Sequence, residues 1–539
     1  MHRISSVAAA NAERIVPTWK DGTVMRYVTS TDHKRIGLLY LWAAGLFLLV
    51  LGSSSLLLAV HGIGGPDGVL SAFAFEQLRV LQSTSALFLV GLPLALGLST
   101  YLLPLMVGAR TLAWPRLAAL GFWLWLGAAF LILASFGAGD AQLEGDAVPL
   151  STQGRQLWAL GLVIVAGAGV AASASLLRTL AARRAPGLTV ARLPVFAFAA
   201  GAFSIAVAVA LPLAAIPAIV FLFDVGSASS AFPFDGRLYG NPIWFLGHPL
   251  AYALLIPVAA GICELVPVLA QRPLAGRGLA KGAIAALGGL AVLIGLYHLI
   301  SDALGSSFGR SVPLAGWLAV IPLAACAAAW AATLLGSLTR RPPPAALALA
   351  AGAAEVLAVG IVLGLALGFP GDYRKPASFE VTALFSGTLG SVAVLGLLAA
   401  LLYWFPKLTG RAFDERDARP VVGLSVLGAN ALLVGQHVLG QAGANRASAV
   451  SADCGGSADA GGALALAGFL LLFLGVAAFA AGAAKSVRTG RRTGSDPWQG
   501  DTLEWLAESP PPEHNFGSLP SIESDRPLAD LRRRLESRR

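Results

Sequence analysis

"WFLGHPLAYALLIP", residues 244–257, sets a histidine and a tyrosine, His248 and Tyr252, one helical turn apart inside an apolar run. The run extends over residues 242–270, longer than the roughly 20 residues a helix needs to cross a bilayer core. It therefore reads as a membrane helix that carries two polar side chains on one face. Apolar runs of similar length recur at about 35–60, 80–108, 116–137, 157–180, 193–223, 282–304, 313–336, 345–368, 377–405, 420–441 and 462–484. The expected fold is all-α, a polytopic membrane bundle of twelve transmembrane helices. Composition agrees, because 56% of the 539 residues are hydrophobic and only 12% are charged. The mean hydropathy of +0.73 lies far above that of soluble domains.

Basic residues orient the bundle. Lys20, Arg26, Lys34 and Arg35 precede the first run, Arg183, Arg184 and Arg192 follow the fourth, Arg340 and Arg341 follow the eighth, and Lys485, Arg488, Arg491 and Arg492 follow the last. Loops on the other face carry Asp140, Glu144, Asp146, Asp224 and Asp235. An even number of spans and this asymmetry place both termini in the cytoplasm, in what reads as a prokaryotic inner membrane. The expected organisation is a cytoplasmic tail at 1–34, a transmembrane domain at 35–484 and a second cytoplasmic tail at 485–539. The net charge of +9 belongs to this topology signal, so lipid and other membrane proteins are the expected partners and nucleic acid is not.

No cleavable signal peptide is legible, since residues 1–34 are polar. Cys263, Cys326 and Cys454 show no metal or disulfide spacing. The polar end of the chain, from about Lys485, reads as an extension hugging the surface, with Trp498, Leu503 and Trp505 as anchors at the lipid interface.

Seven histidines limit what a bundle could coordinate. His2, His33, His61 and His514 fall in tails or loops, which leaves His248, His298 and His437 in spans. Two imidazoles from different helices could hold one copper or zinc ion if a third ligand joined them, and the plainer alternative is histidines hydrogen-bonded within the bundle. Glu355, near the middle of the ninth run, reads as a buried carboxylate and a candidate functional group, with Asp302 and Glu380 nearer the ends of their spans.

Six stretches taken together carry a resemblance: "STDHKRIGLLYLW" (30–42), "YLLPLMVGARTLAWPRLAALGFWLWL" (101–126), "RAPGLTVARLPVF" (184–196), "WFLGHPLAY" (244–252), "YWFPKLTGRAFDER" (403–416) and "DPWQGDTLEWLAESPPPEHNF" (496–516). In this order, on twelve spans, the chain from about residue 17 to 530 resembles subunit I of the heme-copper oxidases, the cytochrome c oxidase type. The resemblance implies a low-spin heme, an oxygen-binding heme and a copper, all held by histidines.

Position by position, the implied ligands are mostly replaced. Gln82 in "LQSTSALF" stands where the family has its low-spin heme histidine, and Leu384 and Ser386 stand where it has the two histidines of its tenth helix. Glutamine is a poor heme ligand, and leucine offers no donor atom. His248 matches the first copper ligand and Tyr252 the tyrosine cross-linked to it, while "LYHLI" keeps His298 from an expected pair. Leu250, Thr100, Ala118 and Cys326 occupy proton-channel positions, Arg446 is what remains of the heme-propionate arginine pair, and Pro376 and Ala377 replace the residues implied for magnesium.

Three readings follow. The first is a non-catalytic, heme-less structural or assembly subunit among the other membrane subunits of a respiratory oxidase complex. The second is an active terminal oxidase, passing electrons from cytochrome c to oxygen with proton coupling through unusual heme ligation. The third is a repurposed membrane protein that binds copper, an ion, a quinone or a lipid in the vacated cavities, with His248, Tyr252, His298 and Glu355 as its residues.

Overall fold

The computed structural model of the chain describes residues 25–61, 69–138, 150–224, 242–304, 312–335, 343–367, 379–444, 456–517, 519 and 521–536. The membrane helices are α1 (His33–His61), α2 (Ala72–Met106), α3 (Pro115–Ser135), α4 (Thr152–Ala182), α5 (Val195–Asp224), α6 (Pro242–Ala270) and α7 (Arg277–Leu304), followed by α8 (Val312–Leu334), α9 (Ala345–Leu367), α10 (379–409), α11 (Glu415–Gln441) and α12 (Gly456–Thr489). Among the described residues eleven helices are long and apolar enough to cross a membrane, and α8 fills the place of the remaining expected span. No strand occurs among the described residues, as expected where a backbone without water must bond within its own segment.

Local chemistry sets the helix ends. Ser71 accepts from Ala74 N at the start of α2, Ser151 from Gly154 N at the start of α4, and Asp414 from Arg416 N at the start of α11. Each side chain satisfies an amide that the first turn leaves unpaired. Gly410 ends α10 in the left-handed region at φ 73°, where a side chain would be strained. Glu264, buried near the end of α6, accepts from Phe196 N at 3.0 Å and so caps α5 from another helix.

Two spans depart from regular α-helix. Ser85–Gly91 in α2 and Ala383–Gly390 in α10 wind as π-helix. Such widened turns leave carbonyls without their regular partner. Trp125 Nε1 donates to Phe88 O at 2.8 Å within the first of them.

Helices α11 and α12 approach most closely along glycines spaced seven residues apart, Gly428 and Gly435 on one, Gly461, Gly468 and Gly475 on the other. A Cβ added at Gly428 would lie 2.6 Å from Leu472 N, so the backbones touch without side chains between them. Small residues at a seven-residue repeat are what such close packing in lipid requires.

The polar C-terminal segment folds back onto one end of the bundle. Lys407 Nζ, on α10, donates to the carbonyls of Ala507 at 2.6 Å, Ser495 at 3.1 Å and Glu508 at 3.2 Å, and sits 5.3 Å from the Trp505 ring centre. Trp498 Nε1 donates to Tyr403 O and Trp505 Nε1 to Tyr403 Oη. Asn515 Nδ2 donates to Ala109 O at 2.8 Å and stands 2.9 Å from His33 Nε2, while its Oδ1 accepts from Lys34 Nζ at 3.2 Å. These contacts correct the expectation of lipid-interface anchors. Leu503 and Trp505 are buried in protein, because Tyr403 and Lys407 offer the indole and the tail carbonyls partners that lipid headgroups would otherwise supply. His33 and His61 are likewise buried at the two ends of α1 instead of lying in a tail or loop.

The glycine contact yields a test. Gly468→Leu should drive a side chain into Leu432 of α11 and cost at least about 1–3 kcal/mol. The expected outcome is a lower unfolding temperature in detergent than for Gly423→Leu, where a side chain meets open space.

Candidate functional site

The side chains of greatest interest meet where α2, α6 and α10 cross. His248 and Tyr252 are both buried on α6, with His248 Nε2 3.4 Å from Tyr252 Oη. Proline at 249 and 257 keeps this helix from bonding regularly through the region. Phe385, carried by the π-turn of α10, presents its ring to both. Its centre is 5.4 Å from that of His248, at 81°, and 6.2 Å from that of Tyr252. These are edge-to-face aromatic contacts. From the other side, Leu87 in the π-turn of α2 packs so closely on α6 that a Cβ at Gly247 would lie 2.6 Å from its Cδ1. Gly91 and Leu254 interlock in the same way one turn on.

The residues at the implied heme-ligand positions are engaged elsewhere. Gln82 Nε2 donates to Ser55 Oγ of α1 at 2.9 Å. Ser386 Oγ stands 3.0 Å from Thr382 O and 3.0 Å from Gln436 Oε1 of α11. Gln436 also closes over Gly387, where a Cβ would lie 2.8 Å from its Oε1. Leu384 is half-buried hydrocarbon. None of the three positions therefore fits a heme iron, since none offers an imidazole, and between α6 and α10 the rings of His248, Tyr252 and Phe385 meet. Among the described residues no group of three or more His, Cys, Asp or Glu side chains is placed to hold a metal ion.

Other expected residues fall differently. His298 lies on α7 and Asp302 and Glu380 on α7 and α10, but their side chains are outside the described residues. Arg446, Pro376, Ala377 and Cys454 are also outside them. His437 is buried on α11, next to Gln436. Cys263 Sγ accepts from Trp330 Nε1 at 3.2 Å and Cys326 is buried, both as bundle residues. Glu355 corrects the expectation of a buried carboxylate. It is exposed on the outer face of α9 and accepts from Asn430 Nδ2 of α11 at 3.0 Å. Position along a span does not reveal which way a helix faces when nearly every neighbour is apolar.

Sequence reasoning missed Gln436 and Glu504. An amide beside His437 in a largely apolar run was the available signal for the first. The second gave none, because Glu504 lies in a polar tail yet is wholly buried, with Thr502 Oγ1 donating to its Oε1 at 2.7 Å.

Burial pushes the Glu504 carboxyl up to about 7; Glu264 acts in the same direction, and the Thr502 hydrogen bond and Lys407 oppose it. With the docked value above that of a free carboxyl, the docked tail holds a proton that an undocked tail releases. The contribution of Glu504 to docking is thus fully present below about pH 4.5 and is lost as pH rises through about 7. Hydrogen exchange of the segment around Trp505, corrected for intrinsic rate, should quicken across that window. In Glu504→Gln the dependence should flatten.

The sequence model of cytochrome c and quinol oxidase polypeptide I matches residues 35–484. Cytochrome c oxidase subunit 1 of Corynebacterium efficiens is 31% identical over 520 residues, covering 94% of this chain and 89% of that protein. The protein of the same name in Bacillus subtilis is 30% identical over 517 residues, 93% of this chain and 82% of that one. A heme-copper terminal oxidase dimer solved by electron cryo-microscopy shares the fold, with a TM-score of 0.65 at 16% identity over 86% of this chain and 85% of that one.

Proposed function

This chain belongs to the cytochrome c and quinol oxidase polypeptide I family, and we propose that it is a heme-less, non-catalytic member that serves as a structural or assembly subunit of a respiratory oxidase complex. One observation carries the reading. At all three positions where the family resemblance implies a heme ligand, the side chain is Gln82, Leu384 or Ser386, and the two polar ones are bonded to neighbouring helices. The ring contact between His248 and Phe385 supports it further, because a macrocycle held against α6 would need that space. Oxygen reduction by this family requires electrons to reach a heme and copper pair in sequence, and the three implied ligand positions supply no imidazole to hold either heme.

Both tails lie in the cytoplasm of a prokaryotic inner membrane, with residues 35–484 as the membrane domain and partners among the other membrane subunits of the complex. The active-oxidase reading would need heme ligands other than those three positions.

A reduced-minus-oxidised absorption spectrum with a pyridine hemochrome assay on the purified chain tests the reading. The expected result is no stoichiometric heme, and stoichiometric heme overturns it.

The repurposed reading keeps one specific observation, the buried His248 and Tyr252 corner. If copper is held there with His298, metal should stay with the protein through purification and be lost in the His248→Ala, His298→Ala double variant. Metal analysis of both proteins decides, and unchanged content in the variant removes the copper reading.

A further inference from the structure

Glu355 stands ten residues after the start of α9 and twelve before its end, and Asn430 is at a similar depth in α11. The two meet on the outside of the bundle. Asn430 uses both amide protons, one to Glu355 Oε2 and one to its own helix at Val426 O, each at 3.0 Å. Around the pair the surface is apolar and periodic. On α9, Glu355, Ala358, Val362 and Leu365 share one outward stripe, and on α11 Leu427 and Val434 are exposed beside it.

An ionisable group at mid-span that faces lipid is costly, and such groups are found facing protein or water. Among the described residues no basic side chain pairs with Glu355. A single amide donor leaves most of the acceptor capacity of a carboxylate unmet. Asn430 cannot supply more, because its second proton is already used within α11.

We propose that the face shared by α9 and α11, centred on Glu355 and Asn430, seats a transmembrane helix of a partner polypeptide that brings a lysine or arginine to the Glu355 carboxylate. Charge complementarity selects this occupant. A second copy docked symmetrically would set one Glu355 against the other, like charge against like in a medium that screens little. The inference rests on the outward position of the pair and is independent of whether the chain binds heme.

The test is photo-cross-linking in native membranes, with a benzophenone amino acid at Leu427 of the full chain, followed by sequencing of the cross-linked peptide. The expected product is a transmembrane peptide of another polypeptide with a lysine or arginine within a turn of the cross-link. Interhelical polar contacts in membranes correspond to roughly a 3- to 30-fold change in association, so the yield should fall by that order in Glu355→Gln and hold in Glu355→Asp. The amount of each variant in the membrane separates this loss from misfolding. Adducts with lipid alone, with a second copy, or with a helix lacking a basic residue overturn the proposal, as does an undiminished yield in Glu355→Gln.

Discussion

A peptide group inside a bilayer has no water to bond, and the structure follows from that constraint. Among the described residues every stretch long and apolar enough to cross the layer is helical, and one departure from regular helix is answered by another element. The π-turn of α2 is met by the Trp125 indole. The prolines at 249, 257 and 267 sit in α6, which other helices surround on most sides. At the bundle end a lysine from α10 gathers three tail carbonyls, of which that of the buried Ala507 is the one most in need of a donor.

Once helices are in place, the space between them must be filled, because a void forfeits contacts on every lining atom. Different pairs of helices solve this differently. Helices α11 and α12 close the gap by omitting side chains, glycine facing backbone. Helices α2, α6 and α10 fill theirs with Leu87, Leu254 and the rings of Tyr252, His248 and Phe385. The family fold thus persists around a crossing point that the chain packs with its own side chains. Of the polar groups near it, Gln82 bonds to Ser55, and Ser386 to Thr382 and Gln436. A histidine and tyrosine one turn apart remain as the most coordinating arrangement in that region.

The two unusual acids illustrate opposite solutions. Glu504 comes from a polar segment and is drawn into the protein interior, where burial favours its protonated form. Glu355 comes from the most apolar of settings and is turned outward, with one amide for company. Each is the reverse of what local composition suggests, since composition records the average environment of a segment and neither acid shares it.

The amino-acid sequence alone determined the helical class, the span positions to within about eight residues, and the chemistry at each implied ligand position, because hydropathy and residue identity are local properties. Whether a side chain at a given depth faces core, partner or lipid was decided only when helices packed. Hence Glu355 lies outside, Trp505 inside, and Phe385 against His248. Near-uniform apolarity along a membrane helix carries almost no periodic signal of its facing side. The lysine at 407 could be read as basic and near a helix end, but its three carbonyl partners lie about ninety to a hundred residues further along the chain, and only the folded tail brings them to it.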